Sequence, residues 1–337
     1  MIRIHIESVT RDLAYADTKT VLSKLRNIEL TATAEDAEAI LMTDDDPTLI
    51  RRSPAWRRYP DKCVAINAGD ILSYYIPALY PSNYRCLLSR HRALTTSFYT
   101  YTAEDSRLRN AWINRLAGTT PERRFLYSFM GGSTCWLRKK LFRQYAGHGM
   151  NDVLIECTDG YKHWDSAVNA ARDTRQRHYV DTMLSTKFAV CPRGASASSI
   201  RLFEAMELGC APVVLADSWI PVSGIDWSFC LFLKESSLKD LDRIIRSHAG
   251  EWESRAAAAR RTYAAHFAVA TLGDLLERQI RWLLVMRNER RERMVRAIYP
   301  LYVARRKTVH AIRTAARSLV LQGFRLLGRR FPYELNR

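Results

Sequence analysis

The feature that most constrains the fold is a stretch in which two short apolar runs are separated by one helix pattern. It covers residues 187–214 and reads KFAVCPRGASASSIRLFEAMELGCAPVV. The first run ends at Pro192, which cannot donate to a β-ladder, and a loop of small residues follows. A second apolar run begins after Gly209. This order predicts two buried strands that are connected by a helix, as in α/β domains.

The same alternation of strand and helix patterns occurs twice along the chain of 337 residues. A first α/β unit covers residues 1–117, where strand patterns such as MIRIHI and KCVAIN alternate with helix patterns. Residues 118–124, GTTPERR, combine glycine, proline and charge and form the predicted linker. A second α/β unit covers residues 125–275. We therefore expect an α/β fold with two Rossmann-like, doubly wound domains that face a cleft.

Three loops are candidate binding sites because ligands of such sheets lie beyond the carboxyl ends of the strands. These loops follow Met130, Cys191 and Ala216. In the second loop, Gly194 allows the backbone to turn and to approach a ligand closely.

The helix after this loop carries the features of an anion site. Ser198 or Ser199 is the expected N-cap, and the start of a helix favours negative charge. Arg193, at the end of the strand, and Arg201, in the first helical turn, would add two guanidinium groups whose donors match phosphate oxygens. The residues thus predict a site for a phosphate or diphosphate group.

Glu204 lies one helical turn after Arg201, and its carboxylate would repel a phosphate. It fits the site if it accepts hydrogen bonds from a ribose diol, as acidic residues do in dinucleotide-binding folds. The alternative is that Arg201 and Glu204 form only a surface ion pair while Pro192 and Gly194 turn the chain. Residue chemistry alone leaves both interpretations open.

The order of these residues resembles the exostosin family of glycosyltransferases. The similar segment covers residues 187–233. Its matching positions are Lys187, Phe188, Cys191, Pro192, Arg193, Gly194, Ser199, Arg201, Glu204, Ala205, Gly209, Cys210, Pro212, Val213, Asp217, Asp226 and Trp227.

The resemblance implies the GT-B fold and transfer of a sugar, with inversion, from a nucleoside diphosphate donor that is usually linked to UDP. It places Arg193, Gly194 and Arg201 at the diphosphate and Glu204 at the ribose. It makes Ser198, Ser199 and Asp217 neighbours of the same site. Cationic side chains would stabilise the departing diphosphate, so we expect no cofactor and no divalent metal, with the UDP-sugar as co-substrate.

The N-terminal unit, residues 1–117, would then be the acceptor side and supply the base that inversion requires. The candidate bases are acids that follow predicted strands, namely Asp44, Asp46 and Asp70. Asp45 lies between the first two, and the run of three carboxylates could also be taken for a metal site. A solvated loop or a wall of the acceptor site is the interpretation we prefer for this run.

The segment FLYSFMGGSTCWLRKKL is similar to the start of the family's C-terminal domain, with a strand, a glycine turn and a helix that carries Arg138. Gly131, Gly132 and Ser133 would close on the donor, although a simple tight turn explains them equally well. Trp219 follows Asp217 and is the aromatic residue that we expect to stack on a sugar.

The last predicted segment, residues 276–337, consists of basic amphipathic helices. Residues 281–337 hold 15 basic and three acidic side chains, a net charge of +12 within a total of +17. Apolar residues recur at helical spacing within residues 303–330, which predicts contact with an anionic membrane surface. The alternative is a helix that docks on the protein itself.

No apolar run approaches the roughly 20 residues of a membrane span, and the N-terminus lacks the pattern of a signal peptide. We therefore expect a cytoplasmic protein at the inner face of the plasma membrane, with a lipid-linked glycan as acceptor. The seven cysteines contain no C-x-x-C pair, which favours reduced thiols. A basic nucleic-acid-binding protein and a non-catalytic partner subunit are the rival functions; no nucleic-acid motif is present, so we expect no nucleic-acid partner.

Overall fold

The computed structural model describes residues 1–70, 72–119, 121–145, 147, 149–160, 170–305 and 308. Its N-terminal half contains a parallel six-stranded sheet with the order β2-β1-β3-β4-β5-β6. The strands are β1 (Ile2–Glu7), β2 (Ile28–Leu30), β3 (Ala39–Met42), β4 (Cys63–Ile66), β5 (Ala78–Tyr80) and β6 (Ala93–Thr95). The helices of this half are α1 (Leu13–Leu22), α2 (Pro47–Arg52), α3 (Pro54–Arg58) and α4 (Ala111–Leu116).

A second parallel sheet has five strands in the order β11-β10-β9-β7-β8. Its strands are β7 (Phe125–Gly131), β8 (Val153–Cys157), β9 (Thr186–Pro192), β10 (Ala211–Leu215) and β11 (Leu231–Leu233). The helices are α5 (Trp136–Tyr145), α6 (Ala170–Leu184), α7 (Arg201–Glu207), α8 (Leu241–Ser247), α9 (Trp252–His266) and α10 (Val269–Val285). The prediction of an α/β protein with two parallel sheets is confirmed.

Each sheet has one point where the chain reverses its direction across the sheet. In the N-terminal sheet β1 lies between β2 and β3, and in the C-terminal sheet β7 lies between β8 and β9. Crevices beyond the carboxyl ends of the strands at such points are the usual ligand sites of open α/β sheets. The end of β7 and the end of β9 are therefore the first places to look for a ligand site.

The sequence predicted the long buried strands well because strands that are covered on both faces are apolar throughout. All residues of β3, β4 and β10 are buried. The short strands β2, β5 and β6 were not predicted, and the single helix that the pattern predicts over residues 238–267 is divided into α8 and α9 by residues 248–251.

The predicted linker contains an arginine that holds the C-terminal sheet together. Arg123 donates hydrogen bonds to the carbonyl oxygens of Met183 (2.9 Å), Thr186 (2.7 Å) and Leu208 (2.8 Å). This side chain satisfies carbonyl groups around the start of β9, so the segment is anchored to the second half.

Helix α10, which follows the C-terminal sheet in the chain, packs against the N-terminal half. Gln279 in α10 donates to the carbonyl oxygen of Thr95 in β6 (2.7 Å), and Asp274 accepts hydrogen bonds from Arg26 and Asn27. A Cβ at Gly273 would lie 1.9 Å from the Arg26 carbonyl oxygen, so only glycine permits this approach. The predicted boundary between residues 275 and 276 falls inside α10.

Residues 1–286 form one compact unit and residues 287–337 form another. In the second unit residues 289–305 are helical. The predicted amphipathic segment, residues 303–330, lies outside the described residues apart from 303–305 and 308. Within the described residues, no helix has both the length and the apolar character needed to cross a bilayer.

Candidate anion-binding site

Two guanidinium groups meet at the reversal point of the C-terminal sheet. The Arg201 side chain, from the start of α7, lies over the ring of Phe129, 4.8 Å from its centroid. The Arg138 side chain, from the first turn of α5, lies 5.4 Å from the same centroid. The negative face of an aromatic ring attracts cations, so Phe129 helps to hold two like charges close together.

Gly131 makes room for this arrangement. Residues 129 and 131 lie on the same face of β7 because side chains alternate along a strand. A Cβ at Gly131 would lie 3.0 Å from Nη2 and 3.3 Å from Nη1 of Arg201. The absence of a side chain at this position therefore sets how deeply Arg201 can reach towards the strand.

Arg138 is buried and is held by neutral oxygen atoms. Its Nε donates to the carbonyl oxygen of Arg193 (3.0 Å). Its Nη2 donates to the carbonyl oxygen of Pro192 (3.1 Å) and to the hydroxyl oxygen of Ser199 (3.3 Å). Burial, followed by the charge of Arg201, lowers the pKa of Arg138 to about 10. The guanidinium is still charged at neutral pH, and it is fixed in place.

Neither guanidinium has a carboxylate within salt-bridge distance among the described residues, and Arg201 Nε is buried without a hydrogen-bond partner there. Positive charge that is removed from water costs free energy unless an anion compensates it. The pair formed by Arg138 and Arg201 is therefore suited to bind an anion; we call it the arginine pair.

Arg193 was predicted to share this role, but its side chain is directed at another partner. Its Nε lies 2.7 Å from Glu235 Oε1, and its Nη1 donates to the carbonyl oxygen of Gly194 (3.1 Å). Asp217 completes this arrangement because its Oδ1 accepts a hydrogen bond from the Glu235 amide (2.8 Å). The structure thus brings Arg201 together with Arg138, and Arg193 together with Glu235 and Asp217.

Glu204 is half-buried and is bound by a tyrosine from α6. Tyr179 Oη donates to Glu204 Oε2 (2.6 Å), and the Tyr179 ring also lies 5.5 Å from the guanidinium of Arg201. Burial raises the pKa of Glu204, although the hydrogen bond from Tyr179 and the charge of Arg201 oppose this shift. Glu204 also lines a small cavity between α7 and the segment of residues 97–109.

The two serines of the loop are buried, with about one twentieth of their surface exposed. Ser199 accepts from Arg138, and Ser198 Oγ has no hydrogen-bond partner among the described residues. The prediction that one of them caps the helix is wrong, because Ile200 occupies the N-cap position and makes no side-chain cap. Gly194 lies beneath Arg138, and a Cβ there would be 3.5 Å from Arg138 Nη2.

The glycine turn after β7 is tied to the end of β8. Ser133 donates from its amide to Asp159 Oδ1 (2.6 Å) and from its hydroxyl to Asp159 Oδ2 (2.5 Å). A Cβ at Gly132 would lie 3.3 Å from Asp159 Oδ1. This network orders the loop that carries the first turn of α5, and with it Arg138.

Trp219 connects the two halves. Its side chain is 8% exposed, and its Nε1 donates to the carbonyl oxygen of Pro81 (3.0 Å). The next residue continues the contact, since the Ile220 amide donates to the carbonyl oxygen of Asn83 (3.1 Å). The indole ring is thus packed against the N-terminal half, which leaves little of its surface for a sugar.

The three consecutive acids Asp44, Asp45 and Asp46 have hydrogen-bond partners in the N-terminal half. Asp44 is buried and accepts from Ser8 Oγ (3.0 Å), the Val9 amide (2.6 Å) and Thr10 Oγ1 (2.7 Å). Asp46 caps α2. Asp45 Oδ2 accepts from the Ser73 amide (3.1 Å) and Tyr80 Oη (3.3 Å), and burial raises its pKa. Among the described residues, no group of three potential ligands suits a metal ion.

Asp70 differs from these acids because it is exposed, in the loop that follows β4. Its negative charge acts on Arg138, where it opposes the lowering of the pKa by burial and by Arg201. It also contributes, after burial and Glu204, to the raised pKa of Tyr101. Asp70 is therefore the exposed candidate acid whose charge acts on Arg138.

Several residues that shape the site had no sequence signal. Phe129, Tyr179 and Glu235 are ordinary members of a strand, a helix and a turn. Arg109 forms a bidentate pair with Glu207 of α7 (2.7 and 2.6 Å) and fixes the helix that carries Arg201. The one available sequence signal was the position of Glu207. It follows Ile200 by two helical turns and so lies on the same face of the helix, which indicates that its side chain points away from solvent.

Comparison with known proteins gives a family match. The model of the exostosin GT47 domain matches residues 99–248. Exostosin-1 of Drosophila melanogaster is 30% identical over 142 residues, which are 38% of this chain and 18% of that protein. An exostosin-1 homolog of Caenorhabditis elegans is 32% identical over 117 residues, which are 32% of this chain and 31% of that protein. The chain thus spans less than a third of the length of these relatives.

Among solved structures, AviGT4, a glycosyltransferase involved in avilamycin A biosynthesis, is 10% identical with a TM-score of 0.39 and covers 85% of this chain and 98% of its own. Anabaena HepE in complex with UDP is 10% identical with a TM-score of 0.35 and covers 83% of this chain and 100% of its own.

Proposed function

We propose that this chain, whose residues 99–248 match the exostosin GT47 domain, is a glycosyltransferase that moves a sugar from a nucleoside diphosphate donor to a glycan acceptor. The observation that carries the proposal is the arginine pair, two guanidinium groups at the reversal point of the C-terminal sheet that have no carboxylate partner in the described part of the chain. A diphosphate supplies the missing negative charge.

The same pair explains how transfer would be accelerated. As the bond between the sugar and the diphosphate breaks, negative charge builds up on the departing phosphate oxygens. Donors that are already oriented stabilise this state more than the ground state, which lowers the barrier. Arg138 is oriented by Ser199 and by backbone carbonyls, and Arg201 by the rings of Phe129 and Tyr179.

We assign the nucleoside to UDP and its ribose to Glu204. Tyr179 holds one carboxylate oxygen of Glu204 and leaves Oε1 as the acceptor for a ribose hydroxyl. In this proposal Arg138 and Arg201 supply the positive charge for the leaving group, so transfer does not depend on a divalent metal. Arg193 would act indirectly, because its pair with Glu235 fixes the loop that carries Gly194 and Ser198.

We assign the base of an inverting reaction to Asp70. A base must face the acceptor hydroxyl on the side opposite the leaving group, and the N-terminal half lies on that side. Asp70 is exposed and its charge acts on Arg138, whereas Asp44 and Asp46 are occupied by backbone amides and loop hydroxyls.

The acceptor that fits the charge of the chain is a glycan linked to a membrane lipid, as in the synthesis of a surface polysaccharide. The net charge of +12 in residues 281–337 favours attachment to an anionic bilayer. In this proposal the enzyme lies at the inner face of the plasma membrane, in the cytoplasm, and residues 303–330 contact the lipid.

The test is thermal unfolding of the full chain with a panel of nucleoside diphosphates and UDP-sugars, in buffer with a metal chelator. We expect UDP to raise the melting temperature of the wild type and to leave that of Arg201→Ala unchanged. Gly250→Ala, where a Cβ meets no atom within 4 Å, is the control and should respond as the wild type does. Absence of a shift with every nucleotide would refute the proposal.

A further inference from the structure

The connection between β5 and β6 carries a basic surface with an exposed leucine at its tip. The polar side chains Arg85, Arg90 and His91 are exposed, and Leu87 is 80% exposed. No acidic residue occurs between Asp70 and Glu104, so the neighbouring sequence supplies no carboxylate to this surface. We call residues 85–91 the basic turn.

The basic turn is held rigidly by the residues on its inner side. Arg92 is buried and donates to the carbonyl oxygens of Tyr74 (2.8 Å), Leu88 (3.0 Å) and Tyr75 (3.1 Å). Leu88 is fully buried, and the Ser89 hydroxyl accepts from the Cys86 amide (3.0 Å). Leu87 is therefore exposed because its neighbours are fixed in the core, and not because the segment lacks structure.

The connection that carries the basic turn also contacts the second half of the chain. The same connection begins with Pro81 and Ser82, which contact the second half. Ser82 Oγ lies 2.8 Å from the Ser196 hydroxyl, in the loop between β9 and α7, and Pro81 accepts from Trp219. The basic turn therefore belongs to a connection that also contacts the loop between β9 and α7.

We propose that the basic turn is a contact site for an anionic lipid bilayer, with Arg85 and Arg90 at the lipid phosphates and Leu87 inserted among the acyl chains at the interface. Basic side chains beside an apolar one are the chemistry of membrane-surface segments. A single exposed leucine is common on soluble proteins. Here Leu87 lies between basic residues whose backbone is held in the core. An apolar side chain adds affinity for a lipid bilayer but not for a polyanion such as a nucleic acid.

This inference depends on the chemistry of the turn and not on the proposed reaction, so the two can fail separately. It is also distinct from contact through residues 303–330. The experiment therefore has to locate the contact within the chain.

The test is hydrogen exchange of the full chain, followed by mass spectrometry, with two kinds of vesicle. One contains phosphatidylcholine alone and the other contains equal parts of phosphatidylcholine and phosphatidylglycerol. We expect the amides of residues 85–91 to become protected only with the anionic vesicles, and the protection to weaken as salt is added. Vesicle binding without protection of this segment would overturn the proposal.

Variants give a second measurement. Arg85→Glu combined with Arg90→Glu should weaken vesicle binding by at least roughly thirtyfold, because two attractive charges at the membrane surface are lost and two repulsive ones are added. Arg52→Glu combined with Arg261→Glu makes the same change of net charge at other exposed positions and should have a much smaller effect. Equal effects of both pairs would show a response to net charge alone and would contradict the proposal.

Leu87→Glu should also weaken binding, whereas Leu13→Glu, at another exposed leucine (61%), should not. Unchanged melting temperatures would show that the four variants fold. Protection of the turn by an oligonucleotide or a sulfated polysaccharide, but not by vesicles, would overturn the proposal in favour of a polyanion site.

Discussion

The carboxyl edges of the two sheets use charge in opposite ways. At the edge of the C-terminal sheet, Arg138 and Arg201 both contact the ring of Phe129 and have no carboxylate partner among the described residues. At the edge of the N-terminal sheet, Asp44 accepts hydrogen bonds from the loop after β1, and Asp46 caps α2. Charge that the protein satisfies itself serves structure, whereas charge that it leaves unsatisfied is available to a ligand.

The comparison extends to single residues within each edge. Arg193 lies close to Arg201 in sequence but pairs with Glu235, so it belongs with the satisfied groups. Asp70 lies in the N-terminal half but is exposed, so it belongs with the unsatisfied groups. The predictions that follow test whether these assignments separate stability from binding and catalysis.

The largest effect is expected from Arg201→Met. Loss of a charge-assisted contact to the diphosphate should weaken UDP binding by about 100-fold, since such contacts contribute roughly 1.5–3 kcal/mol. Titration calorimetry measures the affinity. Arg193→Met is the matched control, and it should reduce stability more than affinity because it leaves the buried carboxylate of Glu235 without its partner. If both variants lose affinity equally, the distinction between the two arginines is wrong.

The second prediction contrasts two acids of the N-terminal half. Asp44→Asn should lower the free energy of unfolding by about 2 kcal/mol, because an amide cannot accept hydrogen bonds at both of its polar atoms. Urea denaturation measures this change.

Asp70→Asn is the counterpart of that variant. It should change the free energy of unfolding by less than about 0.5 kcal/mol, as surface substitutions do, while it lowers kcat by about 100-fold or more. Affinity for UDP should stay the same, since a base acts on the acceptor. A variant that keeps the wild-type kcat would remove Asp70 from the mechanism.

A smaller effect is expected from Gly131→Ala. The added methyl group would lie 3.0 Å from Arg201 Nη2, so the guanidinium has to move by a few tenths of an ångström. We expect UDP to bind about tenfold more weakly, because charge-assisted hydrogen bonds depend on geometry. Gly118→Ala, which adds a methyl group in open space, should bind UDP as the wild type does.

The smallest effect concerns the satisfied edge and its pH dependence. His5 Nε2 lies 3.5 Å from Glu7 Oε2 in β1, and Ser53 donates to Glu7 (2.6 Å). The hydrogen bond between the two side chains raises the pKa of His5 and lowers the pKa of Glu7. The hydrogen bond of His5 to the Thr31 carbonyl oxygen also raises the pKa of His5. The pair therefore stabilises the fold only where both partners are charged.

The sign follows from each shift. The contribution of His5 is complete below about pH 6.5, its unfolded pKa, and is lost as the pH rises through the folded pKa. That of Glu7 is present above about pH 4.5 and is lost as the pH falls through its folded pKa. His5→Gln should thus lower stability by about 0.5–1 kcal/mol between these values and by less at pH 8. Denaturation that shows the same difference at all pH values would contradict this account.

The sequence by itself determined the local structure that carries the site. Runs such as KFAVC and APVVL are apolar throughout, and burial on both faces of a parallel sheet requires that pattern. The position of a candidate anion site between β9 and α7 could also be predicted from the sequence. Pro192 ends the strand, Gly194 lies in the loop that follows, and Arg201 begins the next helix. These features depend on neighbours in sequence.

Only the tertiary structure decided which charges are paired. Arg193 meets Glu235 across 42 positions, Asp44 meets Ser8 across 36, and Arg138 meets Ser199 across 61. Hydrogen bonds and ion pairs act over a few ångströms, so residues that are distant in sequence become partners only after the strands have assembled. For this reason the sequence predicted the same anion-binding role for Arg193 and Arg201, whereas in the folded chain the two side chains have different partners.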